Sequence, residues 1–89
     1  MATVFDISPH VRASITDRDG VLLDLQNGVY YSLNGVGRAV WAKLAEGVPI
    51  DRVAQDVSAA FGAPEGRVRS DVERFVGRLL AKGLVHVRA

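Results

Sequence analysis

Few side chains in this sequence have the types and spacing that catalysis or metal binding requires. The chain has no cysteine, and its two histidines, His10 and His86, are far apart, so no thiolate or paired-histidine metal site is indicated. The run Gly35-Val36-Gly37 lacks the later glycine and the Lys-Ser/Thr pair of a phosphate-binding loop. No Ser, His and carboxylate arrangement has the context of a catalytic site. The sequence therefore predicts a protein that is not an enzyme and needs no cofactor.

Cationic side chains in the last third of the chain raise the alternative of DNA binding. The whole chain has eleven Lys and Arg against ten Asp and Glu, a formal charge of +1, which gives no general attraction to nucleic acid or membrane. No run of basic and amide residues opens the helix predicted there, and carboxylates are interleaved. We interpret the cations as a solvent-exposed face with pairs such as Arg67 and Asp71, and keep winged-helix DNA binding as a competing hypothesis. The cations are Arg67, Arg69, Arg74, Arg78 and Lys82.

Two adjacent tyrosines, Tyr30 and Tyr31, lie on a predicted edge strand. Tyr31 is expected to point into the core with its hydroxyl at the rim, whereas Tyr30 points outward and has no core role. Trp41, on the helix that follows, is expected to be a core residue. The last predicted helix has more apolar residues than one neighbouring element requires. An outward tyrosine on an edge strand beside such a helix indicates a site where an extended peptide adds as a further strand.

The hairpin that carries these tyrosines is predicted from Asn27-Gly28, which lies between two runs of alternating apolar residues. A two-residue loop would mix apolar and polar side chains on both faces of the hairpin. A three-residue loop over residues 26–28, with Gly28 as the left-handed bulge, gives one wholly apolar face, so we predict that register. It pairs Leu25 with Val29, Leu23 with Tyr31 and Val21 with Leu33, and it places Leu22, Asp24, Tyr30 and Ser32 on the outer face.

A two-stranded hairpin needs a third strand and a cover to form a stable domain. Alternating residues from Val11 to Ile15 predict that strand, so the expected order is a three-stranded antiparallel meander. Residues 1–9 show no sustained period, and we expect an N-terminal arm that packs loosely before a domain over residues 10–89. The chain's 89 residues suit one domain with one core, and with no predicted membrane span or signal peptide we expect a cytoplasmic protein.

Three helices are predicted to cover the sheet, from Asn34 to Gly47, from Pro49 to Gly62 and from Pro64 to Gly83. Apolar residues recur along one stripe of each helix, as expected for helices that pack on a core. A short extended segment over 85–87 follows. The predicted fold class is α+β and winged helix-turn-helix-like, a three-stranded antiparallel meander followed by three α-helices. The stripes are Val36, Val40, Trp41 and Leu44; Ile50, Val53, Val57 and Phe61; and Val68, Val72, Phe75, Val76, Leu79 and Leu80.

Three segments resemble a known family when they are read together and in order. They are LLDLQNGVYYSLNGVGRAVWAKLAEG, a helix that ends in AAFG, and DVERFVGRLLAKGLV. The chain from about Val11 to Val87 is similar to the PqqD-type peptide recognition domains, which act in the synthesis of ribosomally made, post-translationally modified peptides (RiPPs). Within that family it is most similar to the stand-alone B1 proteins of lasso peptide biosynthesis.

The resemblance implies a non-catalytic adaptor that binds the leader of a precursor peptide. In the family the leader lies as an antiparallel strand on the third strand of the meander, and its apolar side chains enter the groove beside the third helix. A separate cysteine protease, the B2 partner, then removes the leader before a cyclase closes the lasso. The alternative within the family is PqqD itself, which hands its peptide to a radical SAM enzyme in pyrroloquinoline quinone biosynthesis. Carried over by position, the peptide-binding residues are Val29, Tyr30, Tyr31, Ser32, Leu33, Val68, Asp71, Val72, Phe75 and Leu79.

Overall fold

The computed structural model describes residues 3–88 and confirms the predicted α+β fold. An antiparallel meander with strand order β2-β3-β4 precedes three helices, and two short strands near the chain ends form a second sheet. No helix within the described residues is both long enough and apolar enough to cross a bilayer. The elements are β1 (Phe5–Ile7), β2 (Val11–Ile15), β3 (Gly20–Asp24), β4 (Val29–Leu33), α1 (Gly35–Ala45), α2 (Ile50–Phe61), α3 (Glu65–Ala81) and β5 (Val85–Val87).

The β3–β4 hairpin has a four-residue loop, residues 25–28, so the predicted three-residue loop is wrong. Leu22 pairs with Tyr31, and Asp24 pairs with Val29. This register turns Leu22 and Asp24 toward the core, where both are fully buried, and turns Leu23 outward. The prediction for the faces of β3 is therefore reversed. For β4 the two tyrosines lie as predicted, with Tyr31 half-buried and Tyr30 exposed, whereas Val29, on the Tyr31 face, is 40% exposed.

The helices begin and end close to the predicted residues. The side-chain oxygen of Asn34 accepts a hydrogen bond from the backbone N–H of Gly37 at 2.7 Å, which satisfies a free donor in the first turn of α1. Gly62 ends α2 with a left-handed φ of 62°. Trp41 is buried in the core as predicted. Phe61 is 50% exposed, so its predicted place in the core is wrong.

The N-terminal segment is ordered by pairing with the other end of the chain. Strand β1 pairs antiparallel with β5, and Phe5, opposite Val87, is only 5% exposed. The guanidinium of Arg88 donates to the Asp6 carboxylate at 2.6 Å, and this hydrogen bond lowers the pKa of Asp6. The expectation of a loosely packed arm is therefore wrong for residues 5–7, of which Phe5 and Ile7 pack in the core beside α1.

Candidate functional site: an open strand edge beside a groove

The loop of the β3–β4 hairpin is built around the buried carboxylate of Asp24. One of its oxygens accepts the backbone N–H of Gln26 at 2.9 Å and that of Asn27 at 3.1 Å. The other accepts the side-chain amide of Asn27 at 2.8 Å. These bonds to Asn27 and Gln26, with His10 nearby, hold the pKa of Asp24 below its ordinary value despite its burial. Gly28, at a φ of 68°, closes the loop.

Hydrogen bonds at the two ends of the β2–β3 ladder show which way the backbone of β3 points. The N–H of Leu25 donates to the carbonyl of His10 at 2.9 Å, and the N–H of Thr16 donates to the carbonyl of Asp19 at 2.7 Å. Both pairs continue the β2–β3 register. Because hydrogen-bonding direction alternates along an antiparallel strand, the odd-numbered residues of β3 bond to β2 and the even-numbered ones bond to β4.

The same alternation fixes the free groups of β4. Its residues Val29, Tyr31 and Leu33 lie opposite the even-numbered residues of β3 and therefore bond to that strand. The N–H and C=O groups of Tyr30 and Ser32 point to the other side. Within residues 3–88, β4 is an edge strand of its sheet. Two backbone donors and two acceptors thus line an open edge, as strand addition requires.

A groove runs beside this edge, between β4 with the start of α1 on one side and α3 on the other. It consists of a larger cleft of about 240 Å³ and a smaller cleft of about 100 Å³, which meet at Phe75 and Arg78. Apolar side chains form much of its walls, and charged side chains of α3 stand at its rim. The larger cleft is also lined by Asn34, Val36, Gly37, Val40, Asp71 and Arg74, and the smaller by Leu22, Tyr31, Ser32, Leu33, Leu79, Lys82 and Leu84.

The structure brings most of the sequence-predicted site residues to this groove. Tyr31, Ser32 and Leu33 from β4 line it, together with Asp71, Phe75 and Leu79 from α3. Val29 and Tyr30 are exposed on β4, towards the hairpin loop. Val68 and Val72 lie elsewhere: both side chains are buried in the core, and Val72 borders a separate cleft between α2 and α3.

Three cations at the groove are missing from the predicted site. Arg74, Arg78 and Lys82 recur every four residues along α3 and line the groove. The ammonium of Lys82 lies 5.1 Å from the centroid of the Tyr31 ring, in cation–π distance. In the sequence, Arg74 and Arg78 directly precede Phe75 and Leu79. Their four-residue spacing is the signal that could have placed these cations beside the groove. From the sequence, these cations are predicted to lie on a solvent-exposed face. Alternating charges along a helix do not show which other element packs beside that face.

The groove and the open edge of β4 together have the geometry that β-strand addition uses. In the part of the chain that the structure describes, no three His, Cys, Asp or Glu side chains come together as metal ligands. β-strand addition uses two features. Open backbone groups form main-chain hydrogen bonds with the peptide, and a partly apolar groove beside them takes every second side chain of the peptide.

Comparison with known proteins agrees with this geometry. Residues 19–85 match the family model described as coenzyme PQQ synthesis protein D (PqqD). The fold is similar to "TbiB1 in Complex with the TbiA(beta) Leader Peptide", with a TM-score of 0.85 and 31% identity over 94% of this chain and 98% of that chain. It is also similar to "Lasso peptide synthetase B1 complexed with the leader peptide", with a TM-score of 0.82 and 26% identity over 92% and 96% of the two chains. No curated protein sequence matches. The family match spans most of the sequence, and the chain belongs to the PqqD family.

Proposed function

We propose that this protein is a non-catalytic adaptor that binds the leader of a precursor peptide in lasso peptide biosynthesis. The leader lies antiparallel to β4, bonded to the free backbone groups of Tyr30 and Ser32. Its apolar side chains enter the groove between Phe75 and Leu79 of α3 and the inward side chains of β4. Val68 and Val72, which the family resemblance also implies, are left out because neither side chain lines the groove.

One observation carries this proposal: the open edge of β4 lies directly beside the groove. Ser32 has its backbone at the edge, and the residue also lines the smaller cleft. A peptide strand bonded there places every second side chain toward α3, because side chains alternate along a strand. The two similar B1 structures, each described as a complex with a leader peptide, support the same assignment of the partner.

The adaptor presents the bound leader to a separate enzyme, which we propose is a B2-type cysteine protease. The match to the PqqD family model favours a second candidate, in which the peptide is handed to a radical SAM enzyme for quinone cofactor synthesis. Similarity to two lasso peptide B1 structures over more than 90% of this chain favours the first.

Fluorescence anisotropy with a labelled synthetic leader, taken from the precursor peptide encoded beside this chain's gene, tests the proposal. We expect saturable binding, and faster leader removal when the chain is added to the protease encoded in the same cluster. Faster modification by a radical SAM enzyme, with no effect on leader cleavage, would favour the second candidate. No leader binding up to about 50 µM, together with salt-sensitive binding to duplex DNA, would favour the winged-helix hypothesis instead.

A further inference from the structure

Two cations at the groove have no ion-pair partner among residues 3–88. Arg78 lines both clefts, and Lys82 lines the smaller one. The ion pairs of α3 are formed by other residues, since Arg69 lies 3.8 Å from Glu65 and Arg74 lies 3.9 Å from Asp71. A cation that lines a partly apolar groove without a carboxylate partner favours an anionic group on whatever occupies that groove.

Within residues 3–88, the other carboxylates of this region form no ion pair with Arg78 or Lys82. Glu73, on the same helix, lines the separate cleft against α2, where Asp51 is its acidic neighbour. Asp71 is the acidic residue of the groove, and it already has Arg74 beside it. With a formal charge of only +1 on the whole chain, the positive character of the groove is a local arrangement and not a general excess.

The order of residues along the groove shows in which direction an added peptide strand runs relative to α3. Asp71 lies in the larger cleft with Asn34, which follows β4, whereas Lys82 lies in the smaller cleft with Tyr31. Strand β4 and helix α3 therefore run in opposite directions beside the groove. A peptide antiparallel to β4 runs parallel to α3, so it meets the Phe75 turn first and the turns with Arg78 and Lys82 afterwards.

The advance of an added strand also fits the spacing of these residues. Arg78 and Lys82 follow Phe75 by three and seven residues, which is about 4.5 and 10.5 Å along the axis of α3. Two residues of a strand advance about 6.6 Å, and residues two apart point to the same face. The groove-facing side chain that follows the one beside Phe75 therefore lies between Arg78 and Lys82 along the groove.

Building on the proposed leader binding, we propose that Arg78 and Lys82 select leaders with an acidic side chain two residues after an apolar one. The apolar side chain enters beside Phe75, and the carboxylate then reaches the two cations. The pattern is thus apolar, any residue, Asp or Glu, read from the N-terminus of the peptide. Shifting the acid by one residue would turn it to the opposite face, away from α3.

Selection from a displayed library of random ten-residue peptides on the immobilised full chain tests this inference. We expect enrichment of the apolar-x-acidic pattern. Synthetic fluorescein-labelled peptides from the enriched set should lose about tenfold in affinity for the double variant Arg78→Glu/Lys82→Glu, as expected when charges that face an anion are reversed. The neutral pair Arg78→Gln/Lys82→Gln should show a smaller loss. Peptides with the acid changed to Lys should recover binding to the reversed variant.

Arg18→Glu is the matched control for the single reversals Arg78→Glu and Lys82→Glu, because Arg18 is exposed in the β2–β3 turn and lines no part of the groove. Equal losses for Arg18→Glu and for these single reversals would mean that only the overall charge matters, which overturns the inference. The inference would also be overturned if the enriched peptides lacked an acid, or carried it before the apolar residue, and bound the reversed variant as well as the parent chain. That outcome would leave the proposed function intact. If no extended peptide is enriched, both proposals fail.

Discussion

The carboxylate of Asp24 and the side-chain amide of Asn27 are joined by a 2.8 Å hydrogen bond inside the β3–β4 loop. Asp24 also accepts two backbone N–H groups of the same loop, so a single buried side chain fixes a four-residue connection. That connection sets the register of β4 and therefore decides which of its backbone groups face the open edge. An Asx-type loop anchor thus determines the geometry of the proposed binding strand.

Replacing this anchor should weaken both the fold and peptide binding. Asp24→Ala leaves the N–H groups of Gln26 and Asn27 without their partner, so we expect a lower melting temperature and weaker leader binding. The control is Asp19→Ala, in the exposed turn before β3, which should change both much less. Circular dichroism melts and anisotropy titrations measure the two effects. Equal effects of the two variants would show that the anchor does not set the hairpin.

Acid should selectively remove the contribution of Asp24. A carboxylate whose folded pKa is lowered stabilises the fold fully above the ordinary Asp pKa of about 3.9, and that stabilisation is lost as pH falls through the lower folded value. We expect the urea midpoint to fall on acidification and the fall to be smaller in Asp24→Asn. The pKa of Asp6 is lowered for another reason, its hydrogen bond to Arg88. Asp6→Asn should therefore reduce the acid-induced loss of stability independently of Asp24. If the urea midpoint of Asp24→Asn fell on acidification as much as that of the parent chain, this role of Asp24 would be wrong.

Backbone changes on β4 should separate binding from folding. An ester or N-methyl group at Ser32 removes a donor at the open edge, so leader affinity should fall by about 0.5–1.5 kcal/mol with little loss of stability. The same change at Tyr31 removes a donor that bonds to β3, and it should destabilise the hairpin. Semisynthesis followed by paired melting and binding curves makes the comparison. Reversed sensitivities, with Tyr31 affecting binding and Ser32 affecting stability, would refute the assigned edge.

Two aromatic residues should behave differently when truncated. Trp41 is 2% exposed in the core, so Trp41→Ala should lower the free energy of unfolding by about 3–5 kcal/mol. Phe75 is only partly buried and borders both clefts, so Phe75→Ala should weaken leader binding more than it lowers stability. Denaturant melts and titrations of both variants measure this. A stability loss in Phe75→Ala as large as that in Trp41→Ala would place Phe75 in the core.

Gly77, one of the two exposed glycines of α3, offers a stabilising substitution that avoids the groove. A Cβ on Gly77 meets no heavy atom within 4 Å, so Gly77→Ala should raise the free energy of unfolding by about 0.5–1 kcal/mol through helix propensity. Leader affinity should not change. Gly28→Ala is the contrasting control, because its positive φ of 68° disfavours a side chain and should make that variant less stable. Chemical denaturation of both variants tests the opposite signs.

The sequence predicted the type and order of the main elements because caps, turn glycines and apolar stripes are local signals. It did not predict the loop, since Leu23 and Leu25 continue an apolar alternation that favours the wrong register. The capping ability of Asp24 outweighs that alternation, and Leu25 remains 52% exposed. Strand β1 was missed because it has three residues and its partner, β5, lies about 80 residues further along the chain. Nothing local signals such a pairing.

On the groove side, the structure brings Tyr31 of β4 and Phe75 of α3 to one groove, as the sequence indicated, and their role in peptide binding stays a prediction. The sequence could not distinguish the apolar residues of α3 that face the groove from those that face α2. Val72 and Phe75 are only three residues apart, yet the first is 1% exposed and the second is half-buried at the groove. The difference depends on how α2 crosses α3, which is set by tertiary packing and not by the period of the helix.

The pairing of β1 with β5 also bears on how the chain folds. The hairpin and the helices form from contacts close in sequence, whereas Phe5 meets Val87 only after a loop of about 80 residues has closed. Contacts of such high sequence separation are expected to form late and to slow folding. We therefore expect the second sheet to form after the hairpin and the individual helices.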